Sequence, residues 1–479
     1  MENIPFQISR THLIPLLPAI RIWLVCLLML TAASSCTLKT ASVPAPPTPG
    51  IEDDVVSFIP ELLDVVLDVP QLSSHAVAVS DEPILTMAEQ SALYDQAVKR
   101  FFAPWHLRDA SLSRKQAFWG VRAYGSRQGY AENLQPYPPE RWVRVVALQN
   151  MDAYPSMASP AIVIRNTSLR ILPSMRPFFF DPSQPGEGFP FDYFQNSALW
   201  LGTPLLVTHV SLDQAWFFVE TSFVSGWVRR EDVALAEGDF RRTYETLAMV
   251  AIRQDDTILS GAGGGFLGQT HIGAIFPLHS QDVQKLTIRV PARSAHGQAE
   301  LHLAEVDLQQ AAPMPLPCTS RNIASLADAM SGQLYGWGGM FENRDCSSTM
   351  RDLLLPFGIW LPRNSGLQAR QAGGVISLEN MDPEAKLSVI RDQGVPFGSL
   401  IWMPGHIGLY LGTDQRGEPL MLHNIWGART VLPEGGEGRA VIGRLAVTSL
   451  RPGEERPDVR KGAFLERVRG LTRIGRFRQ

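Results

Sequence analysis

This chain of 479 residues has few cysteines, no excess of basic residues and no long apolar run. Four cysteines are too few for a small scaffold held together by disulfides. Lysine and arginine number 43 against 47 aspartates and glutamates, and the net charge of −4 argues against a general nucleic-acid-binding protein, which needs a basic surface. Hydrophobic residues make up 45%, enough for a core, and the length indicates about three or four domains.

The apolar run near the N-terminus, residues 22–30, is too short to span a bilayer, which takes about 20 residues. Basic residues precede this run and small residues follow it, which is typical of a secretory signal over residues 1–35. The string from Ala33 to Cys36 resembles a lipoprotein processing box, with Cys36 as the acylated first residue of the mature chain. Ordinary cleavage among the small residues is the alternative. Both interpretations predict export, and acylation predicts an anchor on a membrane surface, at the periplasmic face of the outer membrane.

Two segments near the ends differ in composition from the middle of the chain. Residues 36–80 begin with a stretch rich in proline and threonine, which predicts a linker. Residues 451–479 contain nine basic and four acidic residues, with apolar residues near helical spacing. This pattern predicts an amphipathic basic helix on an anionic surface, and a solvated or loosely docked tail is the alternative. The apolar positions are Phe464, Val468, Leu471 and Ile474.

The middle of the chain changes from helical to strand-like patterns. Residues 89–103 and about 113–123 have helical spacing, and we assign residues 81–155 to a helical N-terminal region. Beyond residue 160, short alternating runs are broken by proline, glycine, asparagine and aspartate. Their spacing predicts two small β-barrels, over residues 156–240 and 241–315.

A predicted helix start carries the first candidate for chemistry. Tyr335 opens the string Tyr-Gly-Trp-Gly-Gly, and Asp345 and Cys346 then precede an apolar helical stripe. Aspartate is a preferred N-cap residue, which places Cys346 in the first turn of the helix. Because a helix N-terminus favours anions, we expect it to lower the pKa of the Cys346 thiol and to raise its thiolate fraction.

Two histidines on neighbouring predicted strands can complete a nucleophilic site. His406 lies on the face of its strand opposite to Ile407, and His423 lies on the next strand. A thiolate nucleophile needs a base, and the base needs an orienting group, so these two imidazoles suit the two tasks. Zinc bound by one cysteine and two histidines is the competing interpretation, but it lacks a short-spaced pair of ligands. We expect neither a metal nor another cofactor.

The segment from Tyr335 to His423 resembles the NlpC-type family of cell-wall cysteine peptidases, which have a minimal papain-like fold and a Cys-His-His triad. The resemblance implies that Cys346 is the nucleophile, His406 the base and His423 the orienting residue. It is close from about residue 318 to 448, and we place the catalytic domain at residues 316–450. Ser348 stands where many relatives carry glycine, and serine should be tolerated at this helical position.

Upstream motifs resemble the accessory region of exported cell-wall cysteine peptidases. In those proteins a helical N-terminal clip and two bacterial SH3-like barrels precede the catalytic domain. The implied fold is therefore a multidomain α+β chain with a helical clip, two small SH3-like β-barrels and a C-terminal papain-like α+β catalytic domain. The motifs are Pro104-Trp-His, Leu169-Arg-Ile-Leu-Pro, Gly202-Thr-Pro and Gly226-Trp-Val.

The same resemblance bears on substrate recognition. In relatives with such barrels, the aspartate before the nucleophile and a serine in a Leu-Pro-Arg-x-Ser string bind the free amine of an N-terminal L-alanine. The matching residues are Asp345 and Ser365, and a carboxylate with a hydroxyl suits an ammonium group. The alternative is that Asp345 only caps its helix and Ser365 only shapes a loop. Tyr335 either assists the oxyanion or only packs.

The resemblance implies a peptidoglycan endopeptidase that cleaves the γ-D-glutamyl–diaminopimelate bond. Its substrates would be stem peptides or muropeptides with a free L-alanine amine, and the barrels would wall the active-site groove. A cell-wall-binding lipoprotein without activity, and an amidase or acyl transferase on the same fold, are the alternatives. We expect no nucleic-acid partner and no disulfide between Cys318 and Cys346, because that bond would block the nucleophile.

Overall fold

The computed structural model describes residue 67, residues 69–371 and residues 374–475. The predicted signal peptide, the acylation site Cys36 and most of the predicted linker lie outside the described residues. No helix in these described ranges is both long enough and apolar enough to cross a membrane.

The N-terminal region is helical, as predicted. Its main helix begins at a capping box, in which the Thr86 hydroxyl accepts a hydrogen bond from the Glu89 amide. The second predicted helix is interrupted at Phe118, whose backbone is not helical. The buried ring of this residue packs against Phe218 and Trp227. The helices are α1 (Ser73–Ala76), α2 (Met87–Phe102), α3 (Arg114–Ala117), α4 (Trp119–Tyr124) and α5 (Pro139–Leu148).

A first β domain follows, built from one seven-stranded sheet in the order β3-β2-β6-β5-β4-β1-β7. Every neighbouring pair is antiparallel, and the inward faces bury a core of valines, leucines and alanines. Its strands are β1 (Ser159–Val163), β2 (Thr167–Arg170), β3 (Gln195–Leu199), β4 (Pro204–Val210), β5 (Trp216–Glu220), β6 (Ser225–Arg229) and β7 (Val233–Leu235). Helix α6 (Gly238–Tyr244) leads out of this domain.

The second β domain repeats this architecture, with the order β10-β9-β13-β12-β11-β8-β14. Its core has its own apolar cluster, which includes Phe276, Ile288 and Val290. The strands are β8 (Met249–Ile252), β9 (Thr257–Gly261), β10 (Phe266–Thr270), β11 (Ile275–Gln281), β12 (Lys285–Arg293), β13 (Ala299–Asp307) and β14 (Ala311–Pro313).

The C-terminal domain places helices against a six-stranded antiparallel sheet in the order β15-β20-β16-β17-β18-β19. Helix α8, which begins at Cys346, packs against β17 and β18, the strands that carry the two histidines. The elements are α7 (Ser320–Ala329), α8 (Cys346–Leu354), α9 (Ser365–Gln371), β15 (Val375–Ser377), α10 (Pro383–Gln393), β16 (Ser399–Met403), β17 (His406–Thr413), β18 (Pro419–Val431), β19 (Glu437–Ser449), α11 (Ala463–Arg467) and β20 (Gly470–Arg473). The predicted order of a helical region, two β domains and an α+β domain is confirmed.

The basic C-terminal segment is part of this domain, and the prediction of an amphipathic helix or loose tail is wrong. Of the described residues in this segment, only 463–467 form an α-helix, and residues 470–473 form β20 between β15 and β16. Val468, Leu471 and Ile474 are buried in the apolar core, so their spacing reflected burial on a sheet. The buried Lys386 ammonium donates to the carbonyls at the end of α11, at 2.8 to 3.1 Å, which fastens the segment to α10.

Candidate active site

Cys346 is the first residue of α8, where the sequence predicted it. The Asp345 carboxylate caps the helix by accepting the Ser348 amide at 2.9 Å. The Cys346 side chain is buried, within hydrogen-bonding reach of the Ile407 amide, one residue after His406. The packing of α8 on β17 therefore brings the thiol to the start of the strand that carries the first histidine.

The resting thiol is protonated, which corrects the expectation of a lowered pKa. Burial and the adjacent Asp345 charge raise the pKa of Cys346 to about 12, although the amides of Ile407 and Ser347 and the Arg363 guanidinium act in the opposite direction. The helix N-terminus favours the thiolate, but the cost of burying an anion at this position is larger. A thiolate at this position requires a base that takes the proton during the reaction.

His406, His423 and Thr448 form a chain of hydrogen bonds across β17, β18 and β19. His406 Nε2 lies 2.8 Å from His423 Nδ1, and His423 Nε2 lies 3.0 Å from Thr448 Oγ1. The Thr448 hydroxyl donates its proton to the Ser449 carbonyl at 2.7 Å, so its oxygen accepts from His423. His423 Nδ1 is then an acceptor for the His406 Nε2–H, which leaves His406 Nδ1 with a free lone pair.

Both imidazoles are neutral in this arrangement. Burial, with the positive charge of Arg467, lowers the pKa of His406 to about 3. Burial and the neighbouring His406 lower the pKa of the fully buried His423 well below its ordinary value. The Phe464 ring packs edge-on against both histidine rings, with centroids 6.0 and 5.6 Å apart. A neutral imidazole can act as a general base towards a protonated thiol.

Asp345 is held by a buried arginine that the sequence analysis did not single out. Arg363 Nη1 and Nη2 lie 3.0 and 2.5 Å from the two carboxylate oxygens, a bidentate ion pair. The Gly338 amide and the Ser347 and Ser348 hydroxyls also donate to this carboxylate. Burial alone would raise the pKa of Asp345, but the arginine and the Ser348 amide outweigh it and keep the pKa below its ordinary value.

A second buried arginine connects the catalytic helix to the second β domain. The Arg344 guanidinium is fully buried and forms a bidentate pair with Asp255, at 2.9 and 2.8 Å. Its Nε lies 2.8 Å from Asp352 on α8, and the Asn424 side chain donates to its carbonyl at 2.8 Å. The residue before the helix cap is therefore fixed from β18, from α8 and from the second β domain.

One cavity of about 380 Å³ is lined by four of the predicted site residues, and the two histidines are not among its lining residues. Tyr335, Asp345, Cys346 and Ser365 all line it. The first β domain also contributes to the wall, as does the helical N-terminal region. Those lining residues are Trp119, Tyr124, Ile171, Tyr193, Gln195, Asn196, Phe223 and Val224. The predicted contribution of a barrel to the groove therefore holds for the first domain, and its lining tyrosine is Tyr193.

Tyr335 lies close to the thiol. Burial and the charge of the Asp345 carboxylate raise the pKa of Tyr335 well above its ordinary value, and a Cys346 thiolate would raise it further. The phenol therefore keeps its proton and can donate a hydrogen bond into the cavity. Cys318, by contrast, is a buried free thiol in the apolar core, and Cys346 is free as well. Among the described residues no group of three or more His, Cys, Asp or Glu side chains is placed to hold a metal ion.

Comparisons with known proteins agree with this geometry. Residues 332–431 match the model of the NlpC/P60 family. The chain carries an NlpC/P60 catalytic domain. Residues 22–154 match the N-terminal NLPC_P60 stabilising domain, and residues 177–229 and 238–283 match SH3 domains of the SH3b1 and SH3b2 types. No curated protein matches the chain.

A solved structure of an NlpC/P60 endopeptidase shares the fold. An NlpC/P60 endopeptidase from Photobacterium damselae subsp. piscicida has 24% sequence identity and a TM-score of 0.78, with 87% of this chain and 99% of that chain covered. An NlpC/P60 family protein from Bacillus cereus ATCC 10987 has 16% identity and a TM-score of 0.43, over 66% of this chain and 99% of that one. The NlpC/P60 family consists of cysteine peptidases, and its match supports a cell-wall endopeptidase.

Proposed function

We propose that this NlpC/P60 chain hydrolyses the γ-D-glutamyl–diaminopimelate bond of peptidoglycan stem peptides, with Cys346 as nucleophile. The observation that carries the proposal is the chain from Thr448 through His423 to His406, which directs the His406 Nε2 proton to His423 and leaves Nδ1 unprotonated. In this reaction His406 Nδ1 takes the thiol proton as the thiolate attacks the γ-carbonyl carbon. His423 stabilises the imidazolium that forms by accepting from Nε2.

The bond changes follow from this arrangement. Attack gives a tetrahedral oxyanion, for which the Tyr335 hydroxyl and the amides at the start of α8 are the donors. Collapse expels the diaminopimelate amine, which receives the proton from His406, and leaves a thioester on Cys346. Water then attacks the thioester with His406 as base, and the thiol is regenerated.

The shape of the cavity supports a short peptide as the acyl half. A volume of about 380 Å³, closed by walls from two other domains, suits a dipeptide and leaves little room for a glycan strand. Ser365 and Asp345 line this cavity, and we assign them to the free amine of the terminal L-alanine. Because Arg363 already neutralises Asp345, we expect the amine to contribute less affinity than a pair with an unpaired carboxylate would.

The proposal includes export and a lipid anchor at Cys36 on the cell envelope. Cell-wall-associated domains support an extracellular or envelope location. The signal-like residues 1–35 and the lipoprotein-like string before Cys36 support the anchor. Labelling of cells with an alkyne-bearing fatty acid tests it, because the wild-type protein would be labelled and Cys36→Ala would not. Equal labelling of the two proteins would contradict the anchor.

The test of catalysis is hydrolysis of L-Ala-γ-D-Glu-meso-diaminopimelate by purified protein. We expect Cys346→Ala to reduce turnover by at least about 10⁴-fold, because no neighbouring group replaces the thiolate. Cys318→Ala is the matched control, since it removes the other free thiol of the described chain and should retain activity. Turnover by Cys346→Ala equal to that of the wild-type protein would contradict the assignment.

The amine assignment needs a separate pair of substrates. We compare kcat/KM for the tripeptide with a free alanine amine and for the same tripeptide acetylated on that amine. A preference of at least about tenfold for the free amine supports the assignment, because an unmet polar group costs about 1–3 kcal/mol. Equal values would show that Asp345 acts as a helix cap and partner of Arg363 only.

A further inference from the structure

A second pocket lies beside the catalytic histidines and is lined by arginines. It has a volume of about 140 Å³ and lies between the β18–β19 hairpin and the C-terminal segment around α11. We call it the arginine pocket and define it by Arg429, Arg439, Arg460, Arg467 and Phe464, all of which line it. Its one acidic lining residue, Glu454, accepts a hydrogen bond from the Gly462 amide at 2.7 Å.

Two of the four guanidinium groups form no ion pair with any residue that the structure describes. Arg429 lies 3.5 Å from Glu437, and Arg460 pairs with Glu466. Within the part of the chain that the structure describes, Arg439 and Arg467 form no ion pair, and the buried Nε of Arg439 has no hydrogen-bond partner. Burial and the nearby arginines lower the pKa of both groups. Partly buried cations close to one another are unfavourable, and a bound anion would reduce their repulsion.

The pocket adjoins the reacting groups through Phe464. One side of this ring packs against His406 and His423, and the residue also lines the arginine pocket. The charge of Arg467 acts directly on His406. Arg439 reaches towards Tyr335 and lies against Gly186 of the loop before β3, so it stands between the two cavities. The arginine pocket therefore adjoins the two histidines through Phe464, whereas Cys346 lines the 380 Å³ cavity.

The pocket is built by tertiary contacts that hold its walls together. The Val431 amide on the hairpin donates to the Asp458 carbonyl at 2.7 Å, and Thr430 and Val459 form a β-bridge. Lys386 anchors the end of α11, and Arg467 donates to the Pro404 carbonyl at 3.1 Å, beside the turn that precedes His406. The four arginines of the pocket therefore lie on segments that are held together by tertiary contacts.

We propose that the arginine pocket binds a carboxylate on the leaving half of the substrate, with Arg439 and Arg467 as its principal ligands. This inference rests on the proposed function, in which His406 gives its proton to the leaving amine. The leaving half must therefore pass next to His406, the side on which Phe464 and the arginine pocket lie. A diaminopimelate residue joined through one amine carries carboxyl groups beyond the scissile bond, and arginine forks suit carboxylates.

The test uses two tripeptides that differ only in the two negative charges of the diaminopimelate carboxyl groups. L-Ala-γ-D-Glu-meso-diaminopimelate is compared with the same peptide in which the diaminopimelate carboxyl groups are amidated. Calorimetric titration into the Cys346→Ala protein measures binding without turnover, and hydrolysis by the wild-type protein measures kcat and KM. We expect the carboxylate peptide to bind at least tenfold more tightly, and the difference in hydrolysis to appear mainly in KM.

Arginine variants identify the pocket as the source of the preference. Arg467→Gln and Arg439→Gln, each in the Cys346→Ala background, should reduce the preference for the carboxylate peptide to less than threefold. Arg451→Gln is the matched control, because it removes one positive charge from the same C-terminal region but pairs with Glu384 outside the pocket. This variant should keep the full preference, and a preference unchanged in all three variants would overturn the proposal.

The two proposals fail in different ways. Equal binding of the acid and amide peptides, with hydrolysis of both by the wild-type protein, would overturn the arginine pocket and leave the proposed function intact. A preference for the carboxylate that depends on Arg467, without hydrolysis of either peptide, would overturn the proposed function and support the pocket. Absence of both binding and hydrolysis would overturn both.

Discussion

Thr448 Oγ1 lies 3.0 Å from His423 Nε2, at the far end of a hydrogen-bond chain that begins at His406. The threonine donates its own proton to the Ser449 carbonyl, so it can only accept from His423. Through this one contact, a residue that does not line the substrate cavity determines which nitrogen of each histidine carries the proton. Thr448 is therefore a positioning residue for the base.

Replacing Thr448 tests this relationship. We expect Thr448→Val to lower kcat by about ten- to a hundredfold, because it leaves a buried imidazole N–H unpaired at a cost of about 1–3 kcal/mol. Thr448→Ser retains the hydroxyl and should restore most of the activity, with KM unchanged in both variants. Equal losses in the valine and serine variants would indicate a packing effect and contradict the role in orienting the histidines.

Alkylation of Cys346 reports the protonation state of the resting thiol. Because burial raises the pKa of Cys346 to about 12, we expect slow reaction with iodoacetamide at pH 7. The rate should rise by about tenfold per pH unit between pH 7 and 9, as the thiolate fraction grows. Mass spectrometry of the peptide that contains Cys346 measures the modified fraction. Fast alkylation that levels off below pH 7 would indicate a preformed thiolate–imidazolium pair instead.

Acid should destabilise the fold through the two histidines. Their pKa values are lowered in the folded protein, to about 3 for His406 and well below the ordinary value for His423, whereas the unfolded chain binds these protons near 6.5. The unfolded state thus holds more protons below pH 6.5, and the free energy of unfolding should fall as pH decreases from about 6.5 towards 3.

Denaturant titrations at pH 7.0, 5.5 and 4.5 measure this dependence. His423→Gln removes one of the two groups and keeps a side chain that can hydrogen-bond. We expect the variant to lose less stability than the wild-type protein between pH 7.0 and 4.5. The same loss in both proteins would show that other groups, chiefly carboxyls, cause the acid sensitivity.

The Arg344–Asp255 pair should matter for stability far more than an exposed pair. Asp255→Asn leaves the fully buried Arg344 without one of its two carboxylates, and we expect a loss of about 3–5 kcal/mol. The control is Asp81→Asn, which breaks the exposed pair with Arg321 and should cost about 0–1 kcal/mol. Denaturant unfolding measures both values, and similar small losses would contradict a structural role for Asp255 between the domains.

Local sequence patterns predicted the helices and strands whose own apolar residues recur at the spacing of a helix or a strand. The helix that begins near Glu89 and the strand from Pro204 to Val210 were predicted from spacing alone. The role of residues 470–473 was missed, because β20 lies between β15 and β16, and pairing across the sequence leaves no local pattern. Over so short a stretch, the spacing of its apolar residues is compatible with both a helix and a strand.

The candidate site also contains residues that the sequence could predict and residues that it could not. Cys346, His406 and His423 could be singled out from the sequence, because they lie at a helix start and on two strands that pair with each other. The contacts of Arg344 and Thr448 could not be predicted from the sequence. Arg344 pairs with Asp255, which lies 89 positions earlier in the chain. Thr448 has no feature that distinguishes it from other threonines on strands until its contact with His423 is known. The thiol pKa was predicted in the wrong direction, because sequence shows the helix N-terminus but not the degree of burial.

The most direct test of the account is the identity of the products from L-Ala-γ-D-Glu-meso-diaminopimelate. Mass spectrometry after incubation with the wild-type protein should show free diaminopimelate and the dipeptide L-Ala-D-Glu, with neither formed by Cys346→Ala. Release of alanine, or of γ-D-Glu-diaminopimelate, would show cleavage at the other bond. That result, or an intact tripeptide after prolonged incubation, would contradict a γ-D-glutamyl–diaminopimelate endopeptidase.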